Sequence, residues 1–150
     1  AICLPGAEEG SQVYLPVDSK FPMENYHLLV NASEGADSAA VEAAQRGLKA
    51  SVRRFAQDIR DKYIVPPHTT DFGIMYLATE GLYAEVTKDA VLCEQLQRDC
   101  RVTIMGPATL GAFLNSLQMG FKTLAIQKRS GDHRRGQKPY RADTEKAAHG

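Results

Sequence analysis

The triplet Asp18-Ser19-Lys20 carries the most concentrated chemistry in this sequence. It closes a short β-type run, and on a strand residues i and i+2 project to one face. Asp18 and Lys20 therefore point together, a carboxylate beside an ammonium. A carboxylate is a hard oxygen donor suited to Mg²⁺, and a metal held by it activates water and stabilises charge in phosphodiester hydrolysis. The lysine orients that water or offsets charge on the phosphate. The pattern is short, and a solvated salt bridge worth about 0–1 kcal/mol is the competing reading.

Two further features bear on phosphate. Gly106-Pro107-Ala108-Thr109 stands between a strand and a helix, where backbone N–H groups can meet a phosphate; a plain strand-to-helix turn is the alternative. Arg46, Lys49, Arg53 and Arg60 fall within roughly 60° of one another on a long helix, away from its apolar stripe. Such a stripe tracks a DNA backbone or is a solvated face. Glu80 and Glu85 are five apart and share no helical face well, and His68 has no second ligand at metal spacing. Cys93 and Cys100 sit on a helical stretch and suit packing.

Alternating strands and helices must position these groups. Residues 1–4 and 12–18 read as β runs around a turn-forming segment from Pro5 to Ser11, a hairpin. Pro16 sits poorly in a regular central strand. A short helix at about 23–31 follows. Residues 37–62 form the clearest helix, because Val41, Ala44, Leu48, Val52, Phe55 and Ile59 recur on one face. Asp37 or Ser38 suits its N-cap, its length is roughly 40 Å, and Pro66-Pro67 ends it. Residues 72–78 read as a buried strand, 80–100 as helix in one or two pieces, and 101–105 as a strand. A helix opening at Pro107 is expected to bury Leu110, Phe113, Leu117, Phe121 and Leu124. This order predicts an α/β domain, and the hairpin predicts a mixed sheet.

Composition bounds the function. The 150 residues, 43% hydrophobic and 24% charged, suit one globular domain and exclude a disordered, collagen-like or disulfide-stapled chain. The longest apolar run, Ile74 to Ala78, is far below the roughly 20 residues of a bilayer helix, so no membrane contact by this segment is expected. Lys plus Arg and Asp plus Glu are 18 each, so net charge gives no global pull towards nucleic acid. Three cysteines without a C-x-x-C spacing suit a reducing, cytoplasmic compartment. The start, without Met or a leader pattern, reads as the middle of a longer protein. From Gly131 onward there is no Val, Ile, Leu, Met or Phe, so residues 131–150 are expected to be a disordered polar tail behind a domain at 1–130.

Four ordered segments resemble the RmuC family of bacterial DNA recombination proteins. They are Val17 to Tyr26, with its Asp-Ser-Lys-Phe-Pro; Lys62 to Pro67 running on through Thr70-Asp71-Phe72; Glu80 to Val86; and Leu114 to Phe121 continuing to Ala125 to Ser130. The resemblance implies a nuclease-like domain of the PD-(D/E)xK, restriction-endonuclease-like class, acting on DNA in recombination and limiting rearrangement at inverted repeats. It implies Asp18 as Mg²⁺ ligand, the Ser19 carbonyl as neutral ligand and Lys20 as the catalytic lysine; Arg46, Lys49, Arg53, Arg60 and Thr109 stay candidate DNA contacts by their spacing alone. It also implies that complete members carry an N-terminal membrane-anchor or coiled-coil region, with this domain in the cytoplasm. The family's upstream Pro-Asp has no counterpart here, so the chain is expected to be incomplete for catalysis; a non-enzymatic DNA-binding or scaffold module is the alternative.

Overall fold

The computed structural model describes residues 1–136. Pro16 divides what the alternation suggests is a single strand. On one side of it, β1 (Ile2–Pro5) and β2 (Gln12–Leu15) form the expected antiparallel hairpin, with Ile2 opposite Leu15 and Pro5 opposite Gln12. Beyond it, β3 (Val17–Ser19) joins a different sheet, in the order β3-β4-β5. In that sheet β3, β4 (Gly73–Tyr76) and β5 (Val102–Met105) all run parallel. The expected mixed sheet is therefore two sheets, one antiparallel and one parallel.

The physical reason lies in the proline. Tyr14 N–H donates to the His68 carbonyl at 3.0 Å and the Tyr14 carbonyl accepts from Thr70 N–H at 2.9 Å. The next residue facing the same neighbour is Pro16, which has no N–H to donate. Its carbonyl still accepts from Ile74 N–H at 2.8 Å. Pairing lapses between these contacts, where the register moves from Tyr14–Thr69 to Val17–Ile74.

The core is built on α2 (Ser38–Tyr63). The Asp37 carboxylate caps it, accepting from the amides of Ala39 and Ala40 at 3.1 Å each. Ala44, Leu48, Val52, Ala56 and Ile59 are buried in one cluster with Met75 and Leu77 from β4 and its continuation and with Val102 from β5. Each fully buried Leu, Ile or Val stabilises by about 1.5–3 kcal/mol relative to exposure. The helix α1 (Met23–Glu34) lies along α2, where Asn25 Nδ2 donates to Ser51 Oγ at 2.7 Å. After β4, α3 (Glu80–Thr87) is capped by Thr79 and α4 (Ala90–Gln95) by Asp89. A π-helical turn (Leu96–Cys100) follows, and Arg101, at φ 57°, reverses the chain into β5.

The chain divides into units at 1–112 and 113–150, and α5 (Pro107–Gly136) begins in the first. None of the five residues expected to be buried on α5 is fully buried. Leu110, Phe113, Leu117 and Phe121 are only half-buried, Leu124 is 56% exposed, and no residue of α5 belongs to the buried cluster. Leu114, Met119 and Ile126 fall outside the predicted stripe and are also exposed. The half-buried leucines and phenylalanines all lie on the predicted stripe, while Met119 and Ile126 add exposed apolar groups on the other side of the helix. Helix continues past residue 130 to Gly136, and the remainder of the predicted polar tail, 137–150, lies outside the described residues.

A close approach ties β5 to α3. A Cβ placed on Gly106 would lie 2.7 Å from Tyr83 Cγ and 2.9 Å from Tyr83 Cβ, the rigid root of that side chain. Gly106→Ala is expected to destabilise the fold by about 1–3 kcal/mol in urea denaturation. Part of that loss, the share due to the ring, should vanish in a Tyr83→Ala background, which keeps only Cβ in contact; an equal loss in both backgrounds would show that the ring is not the cause.

Candidate functional site

The parallel register sets the direction of the Asp18-Ser19-Lys20 side chains. Asp18 stands opposite Met75, which is fully buried with α2, so Asp18 and Lys20 project on the α2 side of β3. The Lys20 N–H donates to the Tyr76 carbonyl at 3.2 Å, which holds the triplet at the carboxyl end of the parallel sheet. The Pro16 carbonyl and Lys20 amide both face β4, so by strand alternation the Ser19 carbonyl faces the open edge.

The two charged groups meet. Lys20 Nζ lies 2.9 Å from Asp18 Oδ2, and their side chains are only 26% and 23% exposed. The ammonium also sits 5.4 Å from the centre of the Phe55 ring, and the Arg54 guanidinium lies 5.3 Å from the same centre. Although the ion pair is short, Asp18 Oδ2 is buried without a well-aligned hydrogen-bond donor. Contact with the Asp18 carboxylate, partly opposed by burial, raises the Lys20 pKa above the usual 10.5, and Tyr63 and Asp58 add to the rise. Lys20 is therefore a fixed positive charge near neutral pH, not a base.

The buried Asp18 oxygen is the kind of atom a cation would satisfy. With the Ser19 carbonyl it offers two oxygen ligands, and Mg²⁺ commonly takes one or two carboxylates, with water or phosphate completing the shell. Among the described residues, however, no group of three or more His, Cys, Asp or Glu side chains is placed to hold a metal. The donors present are one carboxylate and one carbonyl, with the Lys20 ammonium 2.9 Å from the carboxylate.

The four basic residues of the predicted stripe on α2 all have partners. Arg46 lies 3.6 Å from Glu42 and Lys49 lies 2.7 Å from Asp89. Arg53 donates to Gln95 at 3.5 Å, while Arg60 pairs with Asp61 at 2.8 Å and donates to the Asp99 carbonyl at 3.3 Å. Lys49, then the Leu92 amide, hold the Asp89 carboxyl below the usual carboxylate range. The Thr109 hydroxyl closes the β5–α5 turn, accepting from Gly106 N–H at 2.7 Å and donating to the Gly106 carbonyl at 3.1 Å. At this helix start the Ala108 amide donates to Glu80 Oε1 at 2.7 Å. The anion at the positive end of α5 is thus the protein's own carboxylate.

Several neighbours of the ion pair have no local signal in the sequence. Phe55 counts as a core position by periodicity, yet it is half-buried beneath Lys20. Asp58 and Tyr63 reach the site only because α2 crosses the sheet, a contact distant in sequence. Tyr63 lies in the matched Lys62-to-Pro67 segment, and the Glu80 contact with Ala108 lies in the matched Glu80-to-Val86 segment.

Because its folded-state pKa is raised, Lys20 contributes stability that is complete below 10.5 and lost as pH rises through the higher folded value. A ¹⁵N-detected titration of the Lys20 ammonium should show a midpoint above 10.5 that falls in Asp18→Asn. A midpoint at or below 10.5 in the unsubstituted chain would contradict the ion-pair assignment.

Comparison with known proteins identifies the setting of this site. The RmuC family model matches residues 1–136. Two curated relatives, each named DNA recombination protein RmuC homolog, come from Xylella fastidiosa strains Temecula1 (ATCC 700964) and 9a5c. Each is 50% identical to this chain over 133 residues, which is 88% of the chain and 29% of the relative. The chain thus spans less than a third of the length of these relatives. No solved structure matches it. On the family match and this identity, the chain belongs to the RmuC family.

Proposed function

We propose that this chain is the DNA-directed part of a recombination protein, with the Asp18–Lys20 pair as its phosphodiester site. The observation that carries the reading is the pair itself. A buried carboxylate oxygen without an aligned donor lies 2.9 Å from a charged lysine, at the carboxyl end of an edge strand. In open α/β sheets, ligands bind beyond the carboxyl ends of the strands. Lys20 would bind a non-bridging phosphate oxygen and offset charge there, while Asp18 holds the ammonium in place. The fold and activity proposed are those of a PD-(D/E)xK-type, metal-dependent nuclease limiting rearrangement at inverted repeats. Mg²⁺, held by Asp18 and the Ser19 carbonyl, would supply Lewis acidity and an activated water. Hydrolysis there would move the oxygen of water to phosphorus, break one ester P–O bond and leave a proton of that water on the departing oxygen, with Lys20 offsetting charge on the phosphate. A cytoplasmic location goes with this reading, and no described helix is long and apolar enough to cross a membrane.

Further contacts with DNA, on the side of α2 that faces away from Phe55 and Lys20, would be made by Arg46, Lys49, Arg53 and Arg60, with Thr109 at the β5–α5 turn. Their present partners are mostly exposed, and such pairs are worth only about 0–1 kcal/mol, so phosphates can replace them. A second reading, a DNA-binding module without catalysis, is favoured by one feature: Asp18 has no accompanying set of acidic ligands among the described residues.

Two measurements separate these readings. The 150-residue chain should bind duplex DNA with an affinity that falls as salt rises, and changing Arg46, Lys49, Arg53 and Arg60 together to Glu should weaken binding and flatten that dependence. Unchanged affinity and slope would remove the stripe from the interface. With Mg²⁺ or Mn²⁺, a full-length relative should cleave DNA while this chain cleaves at least about a hundredfold more slowly, the scale of a misplaced reacting group. In the relative, the equivalents of Asp18→Asn and Lys20→Ala should abolish cleavage and leave binding largely intact. A relative that binds DNA and never cleaves it would establish the non-catalytic reading.

A further inference from the structure

A pocket of about 330 Å³ opens beside the ion pair, lined by Tyr14, Pro16, Val17, Asp18, Tyr63 and Thr69 among others. Two of its walls are tyrosines left 46% and 45% exposed, Tyr14 and Tyr63. Neither ring belongs to the buried core. Both nevertheless stand on held backbone. Tyr14 is clamped through its N–H and carbonyl to His68 and Thr70, and Tyr63 is the last residue of α2. The loop that clamps Tyr14 is itself braced, since Thr69 Oγ1 accepts from Val65 N–H at 2.8 Å and Thr70 Oγ1 donates to the Phe72 carbonyl at 2.7 Å.

These features fit one occupant. The walls are aromatic and aliphatic, the volume is at the low end of the range for small-ligand sites, and the Asp18 carboxylate lies at its edge. Planar, unpaired bases stack on aromatic side chains with little regard to sequence. A base inside a duplex cannot enter such a pocket, whereas one at a single-stranded end, gap or flap can. We infer that the Tyr14–Tyr63 pocket stacks an unpaired base of DNA, so that this chain selects DNA with unpaired nucleotides and sets the adjoining phosphate beside Lys20. The inference rests on the proposed phosphodiester site and deepens it by naming the substrate class and two positioning residues.

The test is a binding measurement that needs no cleavage. The probe is a single-stranded oligonucleotide carrying 2-aminopurine, titrated against the 150-residue chain, with a fully paired duplex as comparison. Stacking should quench the fluorophore, and single-stranded DNA should bind more tightly than duplex. Tyr14→Ala and Tyr63→Ala should each weaken single-strand binding by about tenfold, the scale of one lost base–aromatic stack. Both should reduce the quenching while leaving duplex affinity within about twofold. Tyr14→Phe and Tyr63→Phe keep the ring and should behave as the unsubstituted chain, which separates stacking from loss of fold. If DNA binds but the alanine variants bind and quench like the unsubstituted chain, the pocket is not a base site and the phosphodiester reading still stands. If the unsubstituted chain binds neither form of DNA, both readings are overturned together.

Discussion

The contact between α2 and the parallel sheet is the constraint from which the candidate site follows. Five small or aliphatic residues on one face of α2 share a buried cluster with Met75, Leu77 and Val102. Because strand neighbours in register share a face, that burial also decides where Asp18 and Lys20 point, since Asp18 pairs with Met75. The same helix then brings Phe55 under the Lys20 ammonium and Tyr63 to the pocket wall. A shift of β3 by one residue would turn the carboxylate and ammonium to the opposite face. Pro16 marks the point where the register changes, since it has no N–H to continue the Tyr14–Thr69 pairing and its carbonyl accepts from Ile74.

The matched family segments acquire physical meaning from their positions. The Lys62-to-Phe72 segment supplies Tyr63 and the loop that grips Tyr14. In the Glu80-to-Val86 segment, Gly81 leaves room for the Tyr26 hydroxyl, and Tyr83 packs over Gly106. Glu80 satisfies an amide at the start of α5. The Asp18 and Glu80 segments thus hold the carboxyl ends of β3, β4 and β5, while the Lys62-to-Phe72 segment holds the amino ends of β3 and β4.

Much of the fold was legible because it depends on local rules. Periodicity located α2 to within a residue at each end, the Asp37 cap is as expected, and Pro107 opens α5. The pairing of Asp18 with Lys20 followed from the period of a strand. What escaped sequence reading is non-local. Whether the hairpin shares a sheet with β4 depends on how a proline without a donor meets residues far along the chain. On α5 spacing identified the apolar face without identifying what covers it: Phe113, Leu117 and Phe121 share that face, yet each is only half-buried. Asp58 and Tyr63 came into view only once α2 was placed across the sheet.

Charge balance at the site links phosphate binding to a second positive charge. Lys20 and Arg54 both lie against the Phe55 ring, while Asp18 contacts Lys20 and Asp58 acts on it from α2. The four groups are formally neutral, so net charge neither draws a phosphodiester in nor repels it. A phosphate that takes the Lys20 ammonium takes it from Asp18. The Asp18 Oδ2 atom is shielded from water without an aligned donor, and removing the Lys20 ammonium would leave that oxygen without the counter-charge 2.9 Å away. On the proposed reading, phosphate and a cation at Asp18 are therefore favoured together and disfavoured apart, and the ion pair is the resting state that keeps both charges satisfied between encounters.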